Sequence, residues 1–224
     1  SILSKISSRG RYSMILEILP QKIYRANINK DEAFHLETLN EAARSMVEFP
    51  QRNNKIYSSG QKRFWVDSPT YAREFENIAF KEIFNFIDKC ADEYLTELNV
   101  DPEQFEARMT SAYLNRCGDP VNEQSLHNHR GSLISFTYYF HLTEPIQPIS
   151  FTNPLYNDFY YFPHELCTSS CTADVYPTVG DVFLFSSHLG HEVYGIEEDV
   201  ERWLFNGDYH IYSDKHPNLP NQTL

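Results

Sequence analysis

The first hundred residues carry hydrophobic positions at helical spacing. Between positions 31 and 49, apolar side chains recur every three or four residues, with Asp31 among the candidate N-caps. A second pattern of this kind follows Ser68-Pro69, a favoured start of a helix, and continues toward Leu98. The sequence therefore predicts two amphipathic helices and a mostly helical support over residues 1–100.

After residue 101 the pattern changes to short runs rich in Tyr, Phe, Val, Thr and Ile, separated by Gly, Pro and Asn. Such runs predict β-strands near 109–115, 125–129, 133–142, 148–153, 159–163, 172–176, 181–186, 191–195 and 201–212. This many short strands fits a two-sheet antiparallel barrel or jelly roll, with the helices packed on the outer face of one sheet. The predicted fold class is α+β and mainly β.

The length of 224 residues fits one domain, so we expect a single domain over 1–224, with a barrel core at 101–212 and a tail at 213–224. An apolar fraction of 41% excludes a disordered chain. No apolar run reaches the roughly 18 residues that a membrane helix needs. The first ten residues lack a signal-peptide pattern, which favours a soluble, cytoplasmic protein.

The net charge of −12 bears on possible partners. An acidic surface repels phosphate backbones, so nucleic acid is a disfavoured partner. The small basic cluster of Lys55, Lys62 and Arg63 is interpreted as a solvated loop. A neutral or cationic small molecule or a peptide is the favoured substrate class.

Candidate metal chemistry begins with His127-Asn128-His129. Residues two apart in a strand point to the same face, so both imidazoles can converge on one metal ion. Sixty-two residues after His129, His191 begins a later predicted strand and is the preferred third ligand. His188 on the preceding turn is the alternative. An isolated His-x-His pair also fits two ordinary histidines, so the neighbouring motifs decide the matter.

Arg202 lies in a predicted strand near the end of the chain. Alternation there separates two sets of residues: Arg202, Leu204, Asn206 and Asp208 on one face, Trp203 and Phe205 on the other. An arginine inside a barrel requires an anion, because burying an unpaired guanidinium is unfavourable and its planar fork suits a carboxylate. A surface ion pair with Glu192, Glu198 or Glu201 is the alternative.

In this order, the motifs resemble the 2-oxoglutarate- and Fe(II)-dependent oxygenases of the prolyl-hydroxylase-like superfamily. The resemblance covers about the C-terminal half of the chain. It rests on Tyr113-Leu114-Asn115, His127-Asn128-His129, Ile134-Ser135-Phe136-Thr137-Tyr138-Tyr139, Gly180-Asp181-Val182-Phe183-Leu184-Phe185-Ser186, His191, and Arg202-Trp203-Leu204-Phe205-Asn206.

The resemblance implies a double-stranded β-helix that uses Fe(II), 2-oxoglutarate and O₂ to hydroxylate a substrate, with release of succinate and CO₂. The functional positions of the family fall on these residues: His127, His129 and His191 around the iron, Arg202 and Tyr139 at the distal carboxylate of 2-oxoglutarate, and Asn115 and Asn206 along the same cavity. No catalytic residue beyond this set is implied.

The chain departs from the wider superfamily in its metal ligands. A carboxylate normally stands two residues after the first histidine, and here that position is His129. Either three imidazoles bind the metal, or the carboxylate comes from Asp119, Glu123 or Glu192, or His129 lies outside the set of ligands. Leu204 also replaces a Ser of the related pattern and removes a hydroxyl group.

Two other functions remain open at this point. A cupin-type metalloenzyme would use the three histidines without 2-oxoglutarate, although it would leave Arg202 without an anion. A non-catalytic jelly-roll binding module is the other, and the aromatic run at 156–162 would then be a sticky surface. The place of that run between two predicted strands favours a substrate lid instead.

Overall fold

The computed structural model describes residues 21–48, 55–56, 62–66, 78–117, 124–129, 131–152, 172–193 and 200–213. Several sequence predictions lie outside these ranges: the helix start at Ser68-Pro69, the strand at 159–163, the aromatic run at 156–162 and the tail beyond 213.

In chain order, the described elements are β1 (Ile23–Asn27), α1 (Glu32–Glu48), β2 (Lys55–Ile56), β3 (Lys62–Val66), α2 (Ile78–Glu97), β4 (Glu106–Cys117), β5 (Gln124–His127), β6 (Ile134–Leu142), β7 (Ile149–Thr152), β8 (Thr172–Val175), β9 (Asp181–Ser186), β10 (His191–Val193) and β11 (Arg202–Tyr212). The strands form a large sheet in the order β1-β9-β6-β11-β4-β3-β2 and a small sheet in the order β5-β10-β7-β8. Neighbouring strands are antiparallel throughout the described pairs. The predicted mainly-β fold class is confirmed.

Three short strands that the sequence did not predict lie within the first hundred residues, beside the helices α1 and α2. Strand β1 pairs with β9, and β3 pairs with β4 while β2 pairs with β3. The basic cluster interpreted as a solvated loop therefore belongs to a hairpin at the edge of the large sheet. These strands are short, and β1 and β3 pair with strands distant in sequence, which local alternation cannot reveal.

The large sheet separates two hydrophobic cores. The outer core lies between the sheet and the helices, and α2 contributes its buried face, including Phe80, Phe84 and Ile87. The inner core lies on the other side of the sheet, where Phe151 from the small sheet packs against Phe185 with ring centroids 5.0 Å apart. Packing on both faces makes the large sheet the shared wall of the molecule's two layers.

Strand β11 runs through the middle of this wall and alternates between the cores. Trp203 and Phe205 belong to the outer core, whereas Leu204 belongs to the inner core. The Phe205 ring lies 5.1 Å, centroid to centroid, from each of three rings: Phe80, Phe84 and Phe140. The alternation predicted for this strand is thus present in the fold.

A β-bulge in β6 adjusts which of its side chains face the inner core. Opposite Trp203 and Leu204, strand β6 passes from His141 to Tyr139, so Phe140 is the extra residue. Strict alternation would place Leu142 and Tyr139 on opposite faces, yet both pack in the inner core. The bulge therefore turns Tyr139 toward the interior that Leu204 also faces.

Gly207 permits a close approach between β11 and its neighbours. A Cβ atom at this position would lie 2.2 Å from the Ser111 carbonyl oxygen and 2.4 Å from the ring of Phe136. The absence of a side chain thus lets Phe136 lie against the strand between Asn206 and Asp208, two residues that face the inner side.

Candidate metal centre and co-substrate cavity

Three histidines converge where β5 and β10 pair. His127 and His191 are direct cross-strand partners, and their ring centroids lie 4.3 Å apart. The ring of His129 lies 5.4 Å from that of His127 and 5.2 Å from that of His191. One nitrogen of each ring lies within 4.8 Å of the others, so the three side chains can hold one metal ion.

His129 reaches this cluster by a different route from the one predicted. Strand β5 ends at His127, so the two histidines are not held by one continuous strand. Instead, the backbone N–H of His129 donates to the carbonyl oxygen of Ser187 at 2.8 Å. The turn after β9 therefore holds His129 in place, whereas the sequence predicted that His129 would lie in the same strand as His127.

Hydrogen bonds indicate which ring nitrogen of His191 faces the cluster. Its Nδ1 lies 3.0 Å from the carbonyl oxygen of Leu189, which can only accept a hydrogen bond. Nδ1 therefore carries the proton, and the lone pair of Nε2 is left for a metal ion. Burial and then the neighbouring His127 lower the pKa of His191 to about 3, so its imidazole is neutral at pH 7.

Asp208 is the centre of a polar cluster beside His129. Its Oδ1 lies 2.7 Å from Nδ1 of His129 and accepts a hydrogen bond from the Ser135 hydroxyl at 2.7 Å. The Ser111 hydroxyl donates to Oδ2 at 3.0 Å. Burial by itself would raise the pKa of Asp208, but the hydrogen bonds from His129, Ser135 and Ser111 outweigh it and lower the pKa. The carboxylate is therefore ionised at pH 7.

A partly open cavity lies beside the histidines. Its lining combines aromatic, aliphatic and polar side chains: His129, Phe136, Thr137, Tyr139, Ile149, Phe185, His191, Val193, Arg202, Leu204 and Asn206. A concave lining of this kind, apolar with a few converging polar groups, is typical of a site for a small organic ligand.

Arg202 is the most unusual residue of this lining because it is 1% exposed. Its Nε and Nη1 atoms are buried and have no hydrogen-bond partner among the residues that the structure describes. Glu201, next along the chain, bonds Arg116 on the outer side of the sheet and leaves Arg202 unpaired in the described ranges. A buried guanidinium in this state lacks the anion that its charge requires.

Of the other residues predicted to contact the co-substrate, two line the cavity and one does not. Tyr139 and Asn206 line the cavity with Arg202. Asn115 is buried opposite Leu204 on the neighbouring strand, and it is not part of the lining.

The alternative ligands do not join the histidines. His188 is exposed on the turn after β9, and Glu192 is buried outside the cluster. Asp119 and Glu123 lie outside the described residues.

Two polar residues near the site were not singled out by the sequence. Thr137 faces the cavity from β6, and its hydroxyl has no partner within the described ranges. Asp208 was placed on the face of Arg202 but received no role. The period-two alternation of β6 and β11 is the signal that marks both residues.

A model of a known protein family matches the part of the chain that contains this site. Residues 111–208 match the family model described as "Putative 2OG-Fe(II) oxygenase". Segment 111–208 is thus similar to this 2OG-Fe(II) oxygenase family. It includes the three clustered histidines, Arg202 and the Asp208 cluster. No curated protein sequence matches the chain.

Solved structures of 2-oxoglutarate oxygenases share the fold at low sequence identity. A Pseudomonas putida prolyl-4-hydroxylase is 15% identical with a TM-score of 0.58, over 85% of this chain and 92% of its own. A Trichoplax adhaerens prolyl hydroxylase, in complex with a hypoxia inducible factor peptide fragment, is 14% identical with a TM-score of 0.57, over 89% of this chain and 87% of its own.

The alpha ketoglutarate dependent epimerase SnoN of nogalamycin biosynthesis is 13% identical with a TM-score of 0.58, over 85% of this chain and 78% of its own. The double-stranded β-helix fold predicted from the sequence is thus confirmed. Within the described ranges, neither helix combines the length and apolar character that crossing a bilayer requires.

Proposed function

We propose that this protein is a non-haem Fe(II)- and 2-oxoglutarate-dependent dioxygenase that hydroxylates a small-molecule or peptide substrate and releases succinate and CO₂. The observation that carries the proposal is Arg202, a buried guanidinium on the wall of the cavity that the histidine cluster borders, with no anion beside it among the described residues.

The donor set fits Fe(II). His127, His129 and His191 offer three imidazole nitrogens from one side, and imidazole is a ligand that iron accepts. Bound iron would supply the O₂ chemistry, while the protein supplies binding and orientation. His191 can bind the metal only as a neutral imidazole. Its burial favours that form, and its hydrogen bond to Leu189 leaves the lone pair on Nε2.

The cavity fits 2-oxoglutarate at its distal end. The planar fork of Arg202 suits a carboxylate in two-point contact, and binding one would neutralise the buried charge. Tyr139, Asn206 and Thr137 line the same cavity, and their polar groups are suited to hydrogen bonding with a bound acid. Thr137 offers a hydroxyl to the cavity, whereas Leu204 lacks the one that the Ser of the related pattern would supply.

Arg202 also separates this function from the two alternatives. A cupin-type enzyme without a keto acid would retain a buried guanidinium with no purpose for its charge. A binding module without metal would give no reason for three imidazole nitrogens within 4.8 Å of one another. The oxygenase uses both features at once.

Hydroxylation and the substrate class are the finer parts of the proposal. Prolyl hydroxylases and an epimerase share this fold, so the fold leaves the outcome of oxidation open. Hydroxylation is proposed because two of the three related structures named above are hydroxylases. One of them is in complex with a peptide, which supports a peptide among the candidate substrates.

Calorimetric titration of 2-oxoglutarate into anaerobic protein, with and without Fe(II), tests the proposal. We expect binding that depends on the metal and is lost or greatly weakened in Arg202→Met and His191→Gln. Arg116→Met is the matched control, because Arg116 is a strand arginine paired with Glu201 on the outer side. Metal binding without 2-oxoglutarate binding would favour the cupin-type function, and binding of neither would favour a binding module.

A further inference from the structure

We infer that Asp208 supplies the carboxylate of the metal centre indirectly, as a positioning residue that acts through His129. The inference rests on the proposed function, since it concerns the metal that the three histidines would hold. It answers the question that the sequence raises, because the position of the usual carboxylate ligand is occupied by His129.

The contact between the two side chains has the geometry of an orienting hydrogen bond. Oδ1 of Asp208 lies 2.7 Å from Nδ1 of His129, one of the three histidines of the cluster. Asp208 is 6% exposed, so water competes little for this bond. A carboxylate behind a metal-binding imidazole fixes its tautomer and orientation and raises its basicity.

The surrounding hydroxyls determine the direction of this hydrogen bond. Ser135 and Ser111 both donate to Asp208, and Ser135 is in turn 2.8 Å from the Ser187 hydroxyl. An ionised carboxylate can only accept, so the proton between Asp208 and His129 belongs to Nδ1 of the imidazole. The lone pair of Nε2 is then directed away from Asp208 and is available to a metal ion.

The imidazoles of His191 and His129 differ in the group that accepts the hydrogen bond from Nδ1. Nδ1 of His191 donates to a neutral carbonyl, that of Leu189, whereas Nδ1 of His129 donates to an anion. The group behind the imidazole is thus charged at His129 and neutral at His191. Together with Asp208, His129 carries the single negative charge that a carboxylate ligand at this position would bring, so the centre keeps the net charge of a two-histidine, one-carboxylate site.

Direct metal binding by Asp208 does not fit the same contacts. Its carboxylate oxygens do not belong to the group of ligand atoms that lie within 4.8 Å of one another in the described residues. Both of its oxygens are engaged by His129 and the two serines. The imidazole of His129 is thus the group through which its charge reaches the metal.

The first experiment measures the affinity of the full chain for Co(II) by titration. Asp208→Asn keeps the shape of the side chain and removes its charge, and we expect the affinity to fall about 10- to 100-fold. Asp181→Asn is the matched control: Asp181 is another buried aspartate, at the start of β9, bonded to Arg25, Asn27 and Thr178 away from the histidines. The Co(II) affinity of the Asp181→Asn variant should equal that of the unaltered protein.

A double-mutant cycle tests whether Asp208→Asn lowers the Co(II) affinity through His129 or through a general disruption of the folded structure. In the His129→Asp background the imidazole is gone, so adding Asp208→Asn should change Co(II) affinity by less than about threefold. An equal loss in both backgrounds would overturn the inference and assign Asp208 a structural role. Unchanged affinity of the single Asp208→Asn variant would overturn it too, while leaving the proposed function intact.

Proton NMR of the unaltered, Co(II)-loaded protein covers the case in which a variant fails to fold. A slowly exchanging, paramagnetically shifted Nδ1–H signal of His129 is expected, because the bond to Asp208 protects that proton. Rapid exchange of this proton with solvent would contradict the inference. Failure of the unaltered protein to bind Co(II) would reject the inference together with the proposed metal centre.

Discussion

The two faces of the large sheet are built from alternate residues of the same strands, yet they are filled in opposite ways. The outer face is closed by α2, and Phe205 there packs against three aromatic rings. The hydroxyl of Tyr209, also on the outer face, donates a hydrogen bond to Asp88 at 2.7 Å. The inner face holds Arg202, whose Nε and Nη1 lack partners among the described residues.

This difference separates stability from function within single strands. The outer face is closed almost completely, with the buried hydroxyl of Tyr138 as an exception in the described part of the sheet. The inner face keeps a buried charge next to a cavity, an arrangement that is unfavourable until a ligand arrives. Changes on the outer face should therefore alter the free energy of unfolding, and changes on the inner face should alter binding.

The largest expected effect belongs to the outer face. Phe205→Ala removes a ring that is completely buried, and the free energy of unfolding should fall by about 3–5 kcal/mol. Denaturant unfolding measures this loss. Leu36→Ala on the exposed side of α1 is the control and should stay within about 0.5 kcal/mol. A loss below about 1 kcal/mol for Phe205→Ala would contradict the role given to the outer core.

The next effect concerns pH and the inner face. In metal-free protein the folded pKa of His191 is about 3, below the ordinary value of 6.5. Above pH 6.5 neither the folded nor the unfolded state protonates this residue, so its contribution to stability is complete. As the pH falls from 6.5 toward 3, His191 is protonated in the unfolded state but not in the folded state, so the free energy of unfolding decreases.

One such group gives a slope of up to about 1.4 kcal/mol per pH unit in that window. Unfolding of chelator-treated protein between pH 7.5 and 5 measures it, and His191→Gln should flatten the dependence. His188→Gln, on the exposed turn, should leave the slope unchanged. Equal slopes for all three proteins would show that His191 is not the group responsible.

The smallest effect on stability is expected for Arg202→Met. The change removes a buried charge that has no partner in the described structure and retains much of the apolar volume. The free energy of unfolding of ligand-free protein should therefore stay the same or rise slightly, because no ion pair is broken. Thermal unfolding measures this, and a loss of more than about 2 kcal/mol would indicate a structural partner for the guanidinium.

Local pattern was sufficient to predict several elements of the fold. The helix predicted at 31–49 is α1, Glu32–Glu48, and the strand predicted at 181–186 is β9. Both have strong periodicity within one segment. The edge strand β1 escaped prediction, because it exists through its pairing with β9, more than 150 residues away.

The candidate site shows the same limit. Alternation along β11 placed Arg202 and Asn206 on one face, and both line the cavity. The bulge at Phe140 depends on the register between β6 and β11, which alternation within either strand does not contain. The partnership of Asp208 with His129 spans 79 residues, so only the folded chain brings the two together.

The pairing of His127 with His191 also sets the order in which this protein can mature. The two imidazoles become neighbours only after a long loop has closed and β5 and β10 have paired, and such non-local contacts form slowly during folding. The nascent chain thus lacks the complete set of histidines until most of the barrel sequence has been synthesised. Acquisition of the proposed metal would consequently be a late event, and it would mark chains whose sheets have already assembled.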